Sequence, residues 1–427
     1  MTQERLEADS FKCRHRQSGK AFTRERRLPF ALVVVLIMRN SVKSLQNVVN
    51  EAMTWLGQLP VTASAYSQAR YKLKHTAFIE LNQAAVVETL YGDGDYQRFW
   101  GFRVLAVDGS KIILPDNQAI REEFGTIAWT SGKTADIQGE RPYALASVLY
   151  DVLNRVALDA TLGKAKAYEI DLAVGHLSHT RAGDLLTMDR NYPSYRMLAE
   201  LGRYGRDFAI RCSAASFAEA RRMLKGKGPA SQVVTLTPCA GQMPSIRERG
   251  LPLSLKVRLV RVLLSTGAYE VLVTSLLDDS RYPTEGFLEL YHLRWGIETF
   301  YGLLKTRLEL ENFTGISPEA VRQDFHATVY LSGLESLLTD TAQAMLDTKA
   351  TQYPQTVNRA VSFNAIKNHA LDLLLAGGLE TDLLLERLTA LFLTNPCLER
   401  RDRNPPRKKT SARGLLNFHK RQKKHCF

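Results

Sequence analysis

The chain is 427 residues long, 45% hydrophobic, and carries a net charge of +13 from 57 Lys/Arg against 44 Asp/Glu. That apolar fraction excludes wholesale disorder, and the length predicts two or three domains. The five cysteines (13, 212, 239, 397 and 426) contain no Cys-x-x-Cys pair, which argues against a zinc ribbon or a disulfide framework and fits a reducing cytosol. The charge lies at the ends. Residues 400–427 hold eleven Lys/Arg against one Asp, and residues 1–30 hold eight against four acids, so the body is near neutral. Basic arms on a neutral globule point to a polyanion, nucleic acid foremost. A solubility tail has the same composition.

Residues 1–100 read as helical. The apolar run from Leu28 to Met38 follows basic residues, as a signal peptide would. Acids precede it, no small-residue cleavage site follows, and it is shorter than the ~20 residues of a membrane span. It is expected to be a buried helix with Pro29 in its first turn, and secretion is not expected. The segments 44–59 and 64–91 continue with apolar residues at three-four spacing. A Gly-Asp-Gly-Asp turn (92–95) closes this region.

The texture then changes. Val104–Val107 is a short β-branched run ending in Asp108-Gly109-Ser110. Tyr143–Tyr150 and Arg155–Leu162 are strand-like, Glu169–His179 has helical periodicity, and Asp184–Met188 is another strand, ending at Asp189. A helix follows from Ser194, then a strand at 208–212. Residues 232–278 predict a small β-rich segment. Thr284 to about Leu310 predicts one strong helix, and 317–392 at least three more. The tail from Arg400 has too little apolar content to fold alone. This order predicts an α/β fold, a mixed sheet with helices on its faces.

Two features carry chemistry. On the helix around Glu298, the residues Tyr291, Arg294, Glu298 and Lys305 share a stripe about 60° wide. Leu290, Leu293, Ile297, Phe300, Tyr301, Leu304 and Leu308 fall on the opposite side. One face is thus expected to pack, and the other to present a carboxylate among a guanidinium, an ammonium and a phenol. A solvated face with i,i+4 charge pairs places Arg, Glu and Lys the same way, but explains Tyr291 and Trp295 poorly. Second, Asp108 and Asp189 each close a short apolar strand, where sites form at a sheet's open edge. With Glu298 they offer three hard oxygen ligands, suited to one or two Mg²⁺ or Mn²⁺ ions. Such ions support in-line phosphoryl transfer, with Arg294 and Lys305 as phosphate clamps.

The spacing Tyr-x2-Arg-x3-Glu-x6-Lys at Tyr291, Arg294, Glu298 and Lys305 resembles the signature of the bacterial insertion-sequence-four family of DDE transposases. The likeness extends to VLAVDGS around Asp108, LYDV at 149–152, LLTMDRNY around Asp189, FAIRCS at 208–213 and FTRERRLPF at 22–30, with Asn191 where the family often has Gly. The resemblance implies an RNase H-like catalytic core with helices on both faces and a β-rich insertion. Its expected organisation is a helical DNA-binding region (1–100), the core's first part (101–213), the insertion (214–280), the core's last helix (281–313), a helical region (314–399) and a basic disordered tail (400–427). It further implies that Asp108, Asp189 and Glu298 bind the catalytic Mg²⁺, with Mn²⁺ as substitute. Tyr291, Arg294 and Lys305 would contact DNA, joined by Arg190 and Tyr192 beside Asp189. The implied partners are double-stranded DNA, both terminal inverted repeats and target, and a second copy in a synaptic homodimer. The implied activity is cut-and-paste cleavage and strand transfer, through a hairpin intermediate and without a covalent protein–DNA link, in the bacterial cytoplasm at the nucleoid, with no membrane contact. A DNA-binding protein without catalysis and a nuclease without strand transfer stay open as rivals.

Other candidates read differently. Asp184, five residues before Asp189 on one strand, lies on the opposite face and reads as strand-start capping. Glu169 lines the site or caps its helix, with the cap preferred. His176 and His179 lack partner ligands and read as surface residues. No Gly-x4-Gly-Lys-Ser/Thr loop appears, so ATP use is not expected.

Overall fold

The computed structural model describes residues 1–24, 26–39, 43–92, 94–130, 137–376 and 378–399. The expectations for the basic tail at 400–427 lie outside the described residues. Nine strands form a mixed sheet: β1 (Arg103–Ile113), β2 (Thr126–Thr130), β3 (Ile137–Asp151), β4 (Val156–Lys164), β5 (Asp184–Met188), β6 (Asp207–Arg211), β7 (Ser231–Leu236), β8 (Leu255–Leu263) and β9 (Tyr269–Thr274). They run in the order β2-β3-β1-β5-β6-β9-β8-β7, with β4 paired to β3 and helices flanking the sheet.

The described chain forms two compact units. One comprises residues 95–112 and 144–301. Here β1, β5 and β6 pair in parallel, and every residue of β5 is buried. Strands covered on both faces read as unbroken apolar runs, which is why Val104–Val107 and Leu185–Met188 lack alternation. The helices Glu169–His176 and Tyr195–Arg203 lead into and out of β5. The second starts cleanly because the Ser194 side chain accepts from Met197 N–H at 3.2 Å. The β-rich segment is not a sheet of its own: β9 pairs antiparallel with β6, and β8 and β7 follow outward. A core cluster beneath these strands gathers Val104, Leu185, Ala209, Val260 and Leu272 with Phe287, Leu290 and Tyr291.

The other unit comprises residues 1–94, 113–143 and those described from 302 on. The helix Phe30–Met38 is buried at every position but Ala31, as its composition predicts, with Pro29 at the cap rather than inside the first turn. The 30-residue helix Pro318–Asp347 is the spine of this unit. Arg70 reaches it by hydrogen bonds of 2.7 Å to Gln323 and 2.7 Å to Asp324. A Cβ on Gly333 would lie 2.6 Å from Val86, which explains a glycine in mid-helix. None of the described helices is long and apolar enough to cross a membrane.

Candidate active site

The two aspartates are set by sheet register. The parallel pairing of β1 with β5 runs from Arg103↔Asp184 to Val107↔Met188, and Asp108 and Asp189 are the residues that follow the last pair. Pairing with β5 stops there while β1 continues to Ile113, so Asp108 sits inside a strand rather than at its end. At the far end of the same ladder, Arg103 donates twice to Asp184, at 2.7 Å each, with both side chains buried. Asp184 is therefore half of a buried ion pair, beyond the capping role its position suggests.

Each acid is held by its own chain. Gly109 N–H donates to Asp108 Oδ1 at 2.8 Å, and Asn191 N–H to Asp189 Oδ1 at 2.8 Å. The Tyr301 hydroxyl donates to the carbonyls of Asp108 (3.0 Å) and Ala146 (3.1 Å), fixing the backbone beneath the acid.

The expected single helix is two, Gly286–Leu293 and Trp295–Thr306. At Arg294 the backbone tightens: Arg294 N–H reaches the Tyr291 carbonyl at 3.2 Å, and Ile297 N–H the Arg294 carbonyl at 3.1 Å. A Cβ on the adjacent Gly296 would stand 3.3 Å from Val152, so the glycine permits the close approach there.

The break changes which side chains are exposed. Ile297, Phe300 and Tyr301 are buried as expected, but Tyr291 and Arg294 are buried too, at 2% and 3% exposure. The expected solvent-facing stripe is thus covered at its first two members, because Tyr291 packs into the core cluster under the sheet. The Arg294 guanidinium lies over the rings of Tyr291 (5.3 Å) and Trp295 (5.0 Å) and donates to Glu298 Oε1 at 2.9 Å. The Tyr291 hydroxyl has no hydrogen-bond partner among the described residues. Lys305, on the same helix as Glu298, reaches Glu311 at 4.0 Å, and burial lowers its pKa.

Charge crowds around Asp108. Burial, above all, raises its carboxyl to about 7; repulsion from Asp189 and Glu298 adds to this, against the Gly109 N–H and Arg294. Arg190 is exposed beside Asp189. Tyr192 is buried at 1% exposure, so its hydroxyl does not reach solvent as a DNA contact would require. Burial raises its pKa first, followed by the charges of Asp108, Glu169 and Asp189.

Two preferences from sequence are overturned. Glu169 does not serve as a helix cap. Its Oε1 lies 3.2 Å from where a Cβ on Gly109 would stand, and burial followed by Asp189 raises its pKa. His176 is not a surface residue: it is 1% exposed, with Nδ1 2.6 Å from Asp159 and Nε2 3.0 Å from the Ser147 hydroxyl. Its apolar neighbours along the helix were the available signal. His179, by contrast, is partly exposed.

Among the described residues no three His, Cys, Asp or Glu side chains form a ready-made cation cage. The donor chemistry nonetheless fits a hard divalent ion. Several carboxylates repel one another around the buried phenol of Tyr192, which has no hydrogen-bond partner among the described residues.

Residues 100–331, more than half of the chain, match the transposase DDE domain family. The chain belongs to that family. Transposases with a DDE domain generally use a divalent metal. The chain is 26% identical over 320 residues to the transposase InsG of insertion sequence element IS4 from Escherichia coli (strain K12), covering 72% of this chain and 69% of that one. Among solved structures it is similar to the piggyBac transposase synaptic complex with hairpin DNA. The identity there is 10% and the TM-score 0.44, across 97% of this chain and 84% of that chain.

Proposed function

We propose that this DDE transposase cuts DNA at the terminal inverted repeats of its own insertion sequence and joins the freed ends to target DNA. The observation that carries the reading is the placement of Asp108 and Asp189 as adjacent residues past one parallel ladder, with Glu298 sharing the charge field of Asp108. Asp108, Asp189 and Glu298 would hold Mg²⁺, or Mn²⁺ in its place. Held there, such ions would activate a water or a DNA 3′-hydroxyl as nucleophile at neutral pH and stabilise the leaving oxygen. Arg294 orients Glu298 from a buried position, and Tyr301 holds the backbone of Asp108.

The strand order β4-β3-β1-β5-β6, antiparallel where β4 meets β3 and parallel from β1 to β6, supports an RNase H-like core. Arg190 and Lys305 would contact the DNA backbone, while Tyr291 and Arg294, buried as they stand, would act through Glu298. Helical residues 1–100 would read the terminal repeats. Here Lys20, Arg24, Arg26, Arg27 and Lys72 line a cleft of about 460 Å³, and none of the five pairs with a carboxylate among the described residues. Cations around a groove suit a phosphate backbone. A second copy would complete the synaptic complex, in the cytoplasm at the nucleoid.

The test is a cleavage gel on end-labelled duplexes carrying the flanking genomic repeats, with EDTA, Mg²⁺ or Mn²⁺. Cutting at the repeat boundary only with metal, followed by joined products, is expected. Binding without cutting under every metal would leave a DNA-binding protein. Cutting without joined products would leave a nuclease.

A further inference from the structure

We propose that Glu169 is a fourth acid of the reaction centre, holding a divalent cation together with Asp108 and Asp189. This rests on the reading of Asp108 and Asp189 given above, and it adds a residue outside the Asp-Asp-Glu set.

The first observation is placement. Glu169 opens the helix Glu169–His176, whose N-cap is Tyr168. Its carboxylate folds back over the residue that follows Asp108: Oε1 and Cδ lie 3.2 and 3.5 Å from the position a Cβ would take on Gly109. Gly109 is not in a left-handed conformation, so the glycine serves space and not backbone freedom. A side chain there would displace the carboxylate or the Leu145 methyl, 3.3 Å away.

The helix carrying Glu169 is anchored away from the site. His176, at its other end, is held between Asp159 and Ser147, and Asp171 pairs with Arg196 at 2.6 Å. A carboxylate on so fixed a helix keeps its direction.

The second observation is a buried phenol. Tyr192 is 1% exposed and its hydroxyl has no hydrogen-bond partner among the described residues. The charges that act on that hydroxyl are Asp108, Glu169 and Asp189. Buried hydroxyls are normally satisfied, and one left open among three carboxylates marks a place where a further polar group belongs. Three anions and a phenol oxygen exclude an anion. They suit a hard cation with its bound water.

The experiment uses the full-length protein and Mn²⁺ alone as probe, with free Mn²⁺ followed by electron paramagnetic resonance. The variants are Glu169→Gln, which keeps the side chain's shape, and Asp108→Asn as the reference for the reading beneath. Mn²⁺ affinity in Glu169→Gln should fall by about tenfold or more, as for residues that hold or orient a metal. The Mn²⁺ concentration for half-maximal cleavage should rise in step, while metal-free DNA binding stays at the wild-type level. A structural role alone would not move Mn²⁺ affinity in a variant whose metal-free melting temperature is unchanged. Wild-type Mn²⁺ affinity in Glu169→Gln, with affinity lost in Asp108→Asn, overturns the role of Glu169 alone. Wild-type affinity and cutting in Asp108→Asn overturn the underlying reading instead.

Discussion

Arg294 Nη2 donates to Glu298 Oε1 across one helical turn at 2.9 Å, from a guanidinium 3% exposed to a carboxylate 34% exposed. The arginine is an internal strut that ends at the surface acid. Arg294→Lys keeps the charge but loses the planar contact over Tyr291 and Trp295. It should cost about 1–2 kcal/mol of stability, read as a lower urea midpoint at constant m. An unmoved midpoint for both Arg294→Lys and Arg294→Ala would remove the strut.

Asp108→Asn should separate chemistry from binding. Cutting of terminal-repeat DNA should drop by about three orders of magnitude or more, because the proposed metal generates the nucleophile. Retention of the same DNA in a metal-free gel should persist. Wild-type cutting by this variant would exclude Asp108 from the centre.

Lys367 gives a pH signature remote from the acids. Burial lowers its pKa to about 8, against Glu309. The folded value lies below the unfolded one of about 10.4, so between the two the unfolded chain binds the extra proton and stability rises with pH. Urea titrations from pH 7 to 10 should show that rise. Lys367→Met should flatten it and add about 1–3 kcal/mol at pH 7.

The basic cleft should reveal itself through salt. Neutralising Arg26 and Lys72 together, as Arg26→Gln with Lys72→Gln, should lower the slope of log K against log salt by about 2. Equal losses on terminal-repeat and random DNA would make the cleft a backbone clamp. An unchanged slope would make it a solvated surface.

The buried pair at the start of the β1–β5 ladder should be asymmetric to mutation. Arg103→Met strands Asp184 without its partner and should cost about 3–5 kcal/mol. The double variant Arg103→Met/Asp184→Leu should recover most of that loss in a double-mutant cycle.

The central strands were legible because strands covered on both faces show as apolar runs, and the end of each run marks where Asp108 and Asp189 stand in the sheet. Helical spacing grouped Glu298 with Tyr291 and Arg294, and the Arg294 guanidinium lies over the Tyr291 ring and donates to Glu298. The spacing could not show that Tyr291 and Arg294 are covered, since periodicity says which residues share a face and not what lies against it. Gly296 meets Val152, and Gly109 meets Glu169 on a helix sixty residues away; both are tertiary contacts without a local signal. The union of β7–β9 with β6 was hidden for the same reason, as edge pairing leaves no mark in either strand's pattern.

That union sets an order of assembly. Ala209 on β6 waits for Thr274 on β9, and the helix bearing Glu298 comes later still in the chain. Pairings between segments so distant in sequence are slow to form. During synthesis the segments bearing Asp108 and Asp189 emerge, and their strands can join, well before the third acid leaves the ribosome. On the proposed mechanism the nascent polypeptide is chemically silent through most of its translation, and the capacity to break DNA waits for the helix that follows the last strand of the sheet.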